Sequence, residues 1–531
     1  MNFMNQPDII FIVLDTQRVD RLGCYGYEAR EVGESITPNL DQFSNQGVTF
    51  DMAVSPAQWT IPSHASMFTG LYPTAHQLTQ SDLRLGQDRP QLAEVLRKAG
   101  YQTVGFCNNP LVGIIDNGLK RGFETFYNYG GAFPSMPEHS TRLPWPAGRL
   151  LESYTQFLRR ISYPIQNFFA RSDLAFRISI NAWLTPLWSR MANFKGQNER
   201  SVKDVCHFLE KREGCESRRP LFLFLNLMET HMPFWPPGEF VEKVAPYMQE
   251  NRQARNIIRT WNREAYRWQA PVAEPLAELE YQVLSDMYDA EVAYQDDYLA
   301  RLFEILEGRE NKNDTLTVVV SDHGDGLGEH GYFGHAFVAY QELIHVPLIF
   351  HWPRHLKAGQ RITSPVSTRR IYHTLLDAAG TLPQKGDNLD PLEIHSLTLM
   401  ETIRGRDPEA ETAFAEVYSP MNFAKAIKHR QPELLERFRC MDTRRAVVKD
   451  GIKLIQLAGD PSELFDLVQD PLELADIMAE RPVETANLAQ KLGSLVRHAE
   501  TQRDNLALGT SLDLEADEQL MQRLRGLGYI E

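Results

Sequence analysis

Two short apolar runs in this chain each end on side chains that could hold a metal ion. Residues 9–14 (IIFIVL) are followed by Asp15, and residues 316–321 (LTVVVS) are followed by Asp322 and His323. Such runs are typical of buried strands in a parallel sheet, and open α/β sheets bind ligands at the carboxyl ends of their strands. The sequence therefore predicts that two carboxylates and an imidazole meet at one point, which favours a metal-dependent hydrolase.

Between these runs, a threonine stands at the predicted start of a helix. Thr60 comes two residues before Pro62, and proline suits the first turn of a helix. The free backbone N–H groups of a helix N-terminus favour anions. Thr60 is either a helix cap or a nucleophile. The nucleophile is favoured by the two aspartates, because a metal ion lowers the pKa of a coordinated hydroxyl.

Composition excludes several classes of protein. The chain has 531 residues, 43% of them hydrophobic, and a formal net charge of -15, which argues against binding along nucleic acid. Its five cysteines include no CxxC pair and indicate reduced thiols rather than a disulfide framework. The N-terminus resembles no signal peptide, and no apolar run reaches membrane-spanning length. We expect a cytoplasmic protein without a transmembrane segment, and we leave open a homo-oligomer.

The pattern of strands and helices predicts an α/β fold in two parts. Strands are predicted at residues 9–14, 101–106, 220–226, 316–321 and 346–350, and helices from residue 37 and at 91–99, 281–306 and 370–379. The rhythm changes near residue 385, and Asp450-Gly451 then predicts a hairpin between two strands. We therefore expect a catalytic α/β domain over residues 1–384 and a smaller α+β subdomain over residues 385–531.

Two inserted segments, near residues 130–200 and 238–275, interrupt the α/β rhythm. Both are predicted to be helical. They are also predicted to form walls of the pocket, since they follow strands that carry candidate site residues at their ends. Their tryptophans either contact substrate or form local core. The candidates for substrate contact in and beside them are Trp145, Trp183, Trp188 and Trp235.

Several blocks of sequence, taken in order, resemble one known family. They are DTQR from Asp15, TPNLD from Thr37, PSHASMFTGLYP from Pro62, SDHGD from Ser321, and ELFDL from Glu463 with Asp470-Pro471 and Glu473. Together they resemble the sulfatase family of the alkaline phosphatase superfamily, from Asp8 to about Leu492. The resemblance implies an alkaline-phosphatase-like sandwich, with a central, mostly parallel sheet flanked by helices.

The resemblance also implies a set of site residues. One divalent metal would be held by Asp15, Asp322 and His323, with Thr60 as nucleophile and further ligand. Its identity is left open among Mn²⁺, Mg²⁺, Ca²⁺ and Zn²⁺. One metal is favoured over two, because Glu229 and His231 do not match the D-x-x-x-H spacing of two-zinc phosphodiesterases.

Further positions match residues that bind the ester and its leaving group. Asn108, His231 and His335 are the candidates for substrate binding, and His231 or His335 would protonate the leaving oxygen. His64 is a further catalytic candidate, since it stands where formylglycine sulfatases carry an arginine. Asn108 and His335 stand where lysine is common.

The departures from the sulfatase pattern bear on the reaction. Thr60 replaces the cysteine or serine that sulfatases convert to formylglycine, and threonine cannot be converted to that aldehyde. Thr16 replaces the second aspartate of the usual metal pair, as happens in the similar phosphonate monoester hydrolases. A sulfo-threonine is hard to open without the aldehyde's extra hydroxyl, whereas water can open a phospho-threonine at phosphorus.

The sequence thus predicts a metal-dependent hydrolase of small anionic esters, with phosphodiesters or phosphonate esters favoured. The first alternative is a sulfatase that works without formylglycine. A second alternative is a catalytically weak protein that binds an anion or a glycan. A transferase that passes the group to an alcohol is a third, although such enzymes normally carry membrane spans.

Overall fold

A computed structural model describes residues 6–129, 198–213, 219–381, 395–506 and 509–512. The strands of these residues are, in chain order, β1 Asp8–Leu14, β2 Val48–Phe50, β3 Ala53–Val54, β4 Leu83–Arg84, β5 Gln102–Cys107, β6 Thr125–Asn128, β7 Leu221–Leu227, β8 Thr315–Val320, β9 Gly326–Leu327, β10 Phe333–Gly334, β11 His345–Val346, β12 Leu348–His351, β13 Gln360–Ile362, β14 Val366–Ser367, β15 Thr412–Val417, β16 Arg444–Lys449, β17 Ile452–Leu457, β18 Asp460–Asp466 and β19 Thr510–Ser511.

The helices alternate with these strands along the chain. They are α1 Pro38–Gln46, α2 Thr60–Thr69, α3 Pro73–His76, α4 Leu92–Lys98, α5 Pro110–Gly113, α6 Asn198–Arg212, α7 Gly238–Val244, α8 Arg252–Arg263, α9 Glu278–Gly308, α10 Gln341–Ile344, α11 Ile371–Ala378, α12 Leu399–Ile403, α13 Met421–Arg430, α14 Pro432–Arg437 and α15 Pro482–Asp504. None of these described helices combines the length and the apolar character that a bilayer span requires. The cytoplasmic location stays a prediction.

Within the described residues, the central sheet has eight strands in the order β13-β2-β12-β8-β1-β7-β5-β6. β1 lies in the middle and pairs in parallel with β7 and β8, while β12 is antiparallel to both of its neighbours. The mostly parallel sheet predicted from the sequence is therefore confirmed. In its register Val13 lies opposite both Asn226 and Val320, so the residues that follow β1, β7 and β8 emerge together at one edge.

Both faces of the central sheet are buried, which explains the unbroken apolar run of β1. Ile9, Phe11 and Val13 face one core, which helices α2, α4 and α11 cover. The alternate residues Ile10 and Ile12 face a second core, covered by α1, α6 and α9. The structure is thus a sandwich of helices around a sheet, as the resemblance implied.

One predicted strand, residues 346–350, divides into two. His345–Val346 pairs with β3 in a small separate sheet, whereas Leu348–His351 joins the central sheet. Pro347 separates them, and proline cannot donate a hydrogen bond to a strand ladder. The inserted segment 238–275 is helical, as expected. Of the segment 130–200, only residues from Asn198 onward lie in the described ranges, so Trp145, Trp183 and Trp188 lie outside them.

A second sheet follows in the C-terminal part of the chain. β15, β16, β17 and β18 form an antiparallel sheet, and the predicted hairpin turns at Asp450-Gly451. Both turn residues have positive φ (52° and 75°), as the tightest hairpin turns require. The predicted domain boundary at 384/385 falls among residues 382–394, outside the described ranges, and stays a prediction.

Buried charges join this second sheet to the main domain. Lys453 of β17 and Glu473 form an ion pair of 2.7 Å in which neither side chain is exposed. The other Glu473 oxygen accepts a hydrogen bond from the backbone N–H of Gln341, at the start of α10. Breaking such a pair leaves a buried charge without compensation, so the junction resists separation.

His330 belongs to the same junction, and both of its ring nitrogens donate hydrogen bonds. Its Nδ1 lies 3.0 Å from Glu342 Oε1 and its Nε2 lies 3.1 Å from the Glu473 carbonyl oxygen. Both partners only accept, so the ring is an imidazolium. Burial alone would lower the pKa of His330, but the hydrogen bond and charge of Glu342 outweigh it and raise the pKa to about 9.

We predict that His330 makes stability depend on pH above neutrality. Because its folded pKa exceeds the unfolded value of about 6.5, its contribution is complete below about pH 6.5 and is lost as pH rises through about 9. His330→Asn should lower the melting temperature at pH 6.5 and have much less effect at pH 9.5. Thermal unfolding at both pH values measures this, with the exposed His429→Asn as control. An equal effect of His330→Asn at both pH values would contradict the charged junction.

Candidate active site and metal centre

The predicted metal ligands meet at the carboxyl edge of the central sheet. Asp15 follows β1, and Asp322 and His323 follow β8 after Ser321. One ligand atom from each of the three residues lies within 4.8 Å of the others. All three side chains are fully buried. The strand register therefore brings together residues that are about three hundred positions apart.

His323 presents Nε2 to this cluster. Its Nδ1 donates a hydrogen bond to the Gly324 carbonyl oxygen at 2.8 Å, so the proton is on Nδ1 and the lone pair is on Nε2. Burial lowers the pKa of His323 to about 4, which keeps the ring neutral at neutral pH. A neutral imidazole oriented by a carbonyl is the form in which histidine binds metals.

The two carboxylates show whether a cation would fit this site. Neither Asp15 Oδ1 nor Asp322 Oδ2 accepts a hydrogen bond from any described residue, although both are buried. Burial, followed by repulsion from Asp322, raises the pKa of Asp15 well above its usual range. A divalent cation would neutralise both charges and occupy both open oxygens. Two carboxylates, an imidazole and a hydroxyl suit such an ion.

Thr60 lies beside the cluster, at the N-terminus of α2. Thr60 is the first residue of that helix, so Pro62 is the third helical residue rather than the first. Its Oγ1 lies 3.3 Å from His323 Nε2. The first turn of a helix leaves backbone N–H groups without partners inside the helix, and these favour an anion. The structure thus brings Thr60 to the predicted metal ligands.

Asn109, and not the predicted Asn108, reaches this site. Asn109 Nδ2 donates to Asp15 Oδ2 at 2.6 Å and lies 3.4 Å from Thr60 Oγ1. The amide of Asn108 donates elsewhere, to Ser201 Oγ and to a backbone carbonyl. Successive side chains of an extended chain point to opposite sides, so when one of two neighbouring residues faces the site, the other points away from it. Asn109 precedes Pro110 and caps α5, a signal that could have identified it.

Asn226, which the sequence did not single out, links three site residues. Its Nδ2 lies 3.4 Å from Asp15 Oδ2 and 3.5 Å from His64 Nε2. Its Oδ1 accepts the backbone N–H of Asn109 at 3.0 Å. Asn226 lies in the apolar strand β7, whose residues are all buried, and a lone amide there does not indicate its partners.

His64 lies behind the candidate nucleophile. Its Nδ1 donates to the Thr60 carbonyl oxygen at 2.9 Å, one helical turn earlier, and lies 3.4 Å from Asp322 Oδ2. Its Nε2 faces the Asn226 amide. These contacts link His64 to the backbone of Thr60 and to the carboxylate of Asp322.

His231 and His335 also come together beside the cluster. The His335 ring lies 4.5 Å from the His323 ring and 5.0 Å from the His231 ring, centroid to centroid. His335 Nδ1 lies 2.9 Å from Asp325 Oδ1. His231 Nδ1 donates to the Met232 carbonyl oxygen at 2.7 Å, which orients the ring beside His335.

The remaining predicted positions occupy supporting places. Thr16 Oγ1 donates to the Asp15 carbonyl oxygen at 2.7 Å, and its backbone N–H lies 3.3 Å from Asp322 Oδ1. It therefore supplies a donor where the resemblance would place a carboxylate. Trp235 is partly buried against the core, and its backbone N–H donates to Glu291.

Comparisons with known proteins bear on the family of this chain. The family model "Sulfatase" matches residues 7–381, and the model "N-sulphoglucosamine sulphohydrolase, C-terminal" matches residues 328–502. The uncharacterized sulfatase YidJ of Escherichia coli is 22% identical over 71% of this chain and 68% of its own length. N-acetylglucosamine-6-O-sulfatase of Bacteroides thetaiotaomicron is 23% identical, over 71% of this chain and 68% of its own length.

A solved structure has the same fold over nearly the whole chain. The phosphonate monoester hydrolase of Agrobacterium radiobacter superimposes with a TM-score of 0.65 at 22% identity, over 93% of this chain and 96% of that protein. The family model, in turn, covers well over half of the sequence. The chain therefore belongs to the sulfatase family, a family of ester hydrolases in the alkaline phosphatase superfamily.

Proposed function

We propose that this protein is a metal-dependent hydrolase of phosphodiesters or phosphonate esters that uses Thr60 as its nucleophile. The observation that carries the proposal is the position of Thr60 Oγ1, at a helix N-terminus and 3.3 Å from a nitrogen of the ligand cluster. A hydroxyl at that position is placed to attack an ester and to be activated.

Asp15, Asp322 and His323 would hold the divalent ion. When bound, it would supply positive charge that makes the Thr60 alkoxide accessible and attracts the ester's oxygens. The set of ligands includes an imidazole and lacks a third carboxylate among the described residues. Hard, oxygen-loving Ca²⁺ fits such a set less well than Mn²⁺ or Zn²⁺.

The described side chains would act in two steps. Thr60 Oγ1 forms a bond to phosphorus, its proton goes to solvent, and the bond from phosphorus to the leaving oxygen breaks. Water then attacks phosphorus, cleaves the bond to Oγ1 and restores the hydroxyl. The N–H groups of the first turn of α2 and the Asn109 amide lie where they can stabilise charge on the transferred group.

His231 is the residue we propose to protonate the leaving oxygen. Its Nδ1 donates to the Met232 carbonyl oxygen, which orients the ring. From the imidazolium form, Nε2 gives a proton to the leaving oxygen in the first step and recovers one from water in the second. His335 was the other candidate, but its Nδ1 proton is donated to Asp325 and its Nε2 accepts from Gln269, so that ring directs no proton toward the leaving oxygen.

The choice of phosphorus over sulfur follows from the nucleophile. Thr60 cannot become formylglycine, and a sulfate ester of threonine lacks the extra hydroxyl through which formylglycine enzymes release sulfate. Sulfate ester hydrolysis is nevertheless the second candidate function. It is favoured by the family match, which includes the C-terminal model of a sulphohydrolase.

Replacing Thr60 by alanine should lower turnover about a thousandfold or more, because removal of a nucleophile abolishes the covalent route. Thr60→Ser should retain part of the activity, since it keeps a hydroxyl. Initial rates on bis(4-nitrophenyl) phosphate measure both variants. Thr69→Ala is the matched control, since Thr69 lies at the other end of α2 and its hydroxyl bonds the backbone of Ala65 and Leu71. Normal turnover by Thr60→Ala would exclude Thr60 as nucleophile.

The wild-type protein should bind one divalent ion per chain, and Asp15→Asn or Asp322→Asn should lose it. Elemental analysis after dialysis measures the ion, and circular dichroism shows whether the variants stay folded. Chelation should lower the melting temperature of the wild type and not of the variants, because the ion stabilises only the folded state. Asp116→Asn, at an exposed position, is the control. A metal-free wild type would favour the alternative of an inactive binding protein.

The substrate class is tested by matched nitrophenyl esters with metal-loaded protein. We expect kcat/KM for the phosphodiester and the phenylphosphonate to exceed that for the sulfate by about tenfold or more, since the Thr60 intermediate is opened more readily at phosphorus. The same preference must disappear in Thr60→Ala. Faster, Thr60-dependent turnover of the sulfate would establish the second candidate function instead.

A further inference from the structure

The inserted segment 238–275 delivers a buried glutamine to the candidate histidines. Gln269, at its C-terminal end, is 2% exposed. Its Oε1 accepts a hydrogen bond from the His335 backbone N–H at 3.3 Å, and its Nε2 lies 3.2 Å from His335 Nε2. A backbone N–H can only donate, so the amide oxygen must face it and the amide NH₂ must face the ring.

This contact fixes the state of the His335 ring. Because Gln269 donates to Nε2, that nitrogen carries the lone pair and the proton lies on Nδ1, which donates to Asp325 Oδ1 at 2.9 Å. Gln269 and Asp325 thus hold the ring from both sides. Gln269 also accepts a hydrogen bond from the backbone N–H of His335, so its amide contacts that residue at two points.

The close approach of the two segments depends on Gly334. Gly334 has a φ of 77°, in the left-handed region that favours glycine. A Cβ at this position would lie 2.1 Å from the Trp268 carbonyl oxygen and 2.7 Å from Gln269 Oε1. Trp268 is itself buried and donates its indole N–H to the Trp261 carbonyl oxygen. The end of the inserted segment is therefore anchored against His335.

Gln269 also reaches the residue that orients His231. Its Nε2 lies 3.1 Å from Met232 Sδ, and the Met232 carbonyl takes the Nδ1 proton of His231. The His231 and His335 rings meet edge to face at 5.0 Å. One amide side chain therefore contacts His335 directly and the support of His231.

We propose that Gln269 is a positioning residue for the leaving-group side of the site. It keeps the paired rings of His231 and His335 where a proton can reach the departing oxygen. The proposal rests on the proposed function, since a leaving group exists only if the protein hydrolyses an ester. Gln269 would therefore determine which leaving groups the protein can release. Basic leaving groups need a proton and depend on Gln269, whereas nitrophenolate departs without one.

The experiment compares phosphodiesters with nitrophenyl, phenyl and alkyl leaving groups in the full-length, metal-loaded protein. Gln269→Met keeps nearly the same volume and loses the amide, and Gln269→Ala removes the side chain. We expect kcat/KM to fall about tenfold or more for the alkyl ester and to stay within about threefold for the nitrophenyl ester, because misplaced general acids lose their effect steeply with distance. Gln253→Ala, at an exposed position on α8 of the same inserted segment, is the control.

Metal content and melting temperature, measured on each variant, separate positioning from folding. An equal loss for all leaving groups, or no loss for the alkyl ester, would overturn the positioning role of Gln269. If the wild type shows no Thr60-dependent turnover of any ester, the proposed function fails, and this proposal fails with it. If Gln269→Ala does not fold, the rates of Gln269→Met on the three leaving groups decide the proposal.

Discussion

Asp15 and Asp322 lie side by side at the edge of the central sheet, and neither carboxylate reaches solvent. Two buried anions repel each other, and burial penalises each of them separately, so the pKa of Asp15 is raised. Neighbouring groups partly compensate this charge, since the amide groups of Asn109 and Asn226 face Asp15. One oxygen of each carboxylate accepts no hydrogen bond from the described residues. The proposed cation would neutralise both carboxylates and contact both open oxygens.

The imidazoles around this point follow one rule. In His64, His231 and His323 the Nδ1 proton is donated to a backbone carbonyl, and in His335 it is donated to Asp325. The four rings therefore differ in what their Nε2 faces. In His323 it faces the ligand cluster, and in His64 and His335 it faces an amide. In His231 we assign it the leaving-group proton.

The sequence predicted which residues lie together where each of them directly follows a strand. Asp15, Asp322 and His323 each follow an apolar strand, and parallel pairing leaves one way for those strand ends to meet. The structure brings Asn109 rather than the predicted Asn108 to Asp15, because a strand pattern does not locate the last residue of a strand. Prediction from the sequence missed Asn226 and Gln269, because a lone amide in an apolar run or an inserted segment carries no signal of what lies opposite.

The central sheet, the grouping of Asp15, Asp322 and His323, and the exclusion of formylglycine could all be predicted from the sequence, because they depend on local pattern and on the chemistry of single residues. The folded chain, in contrast, shows which asparagine faces Thr60, which imidazole nitrogen carries each proton, and that segment 238–275 places a side chain against the candidate histidines. Those facts depend on contacts between segments distant in the chain. The close approach of Gly334 to Trp268 is an example, because it is set by packing and not by either segment alone.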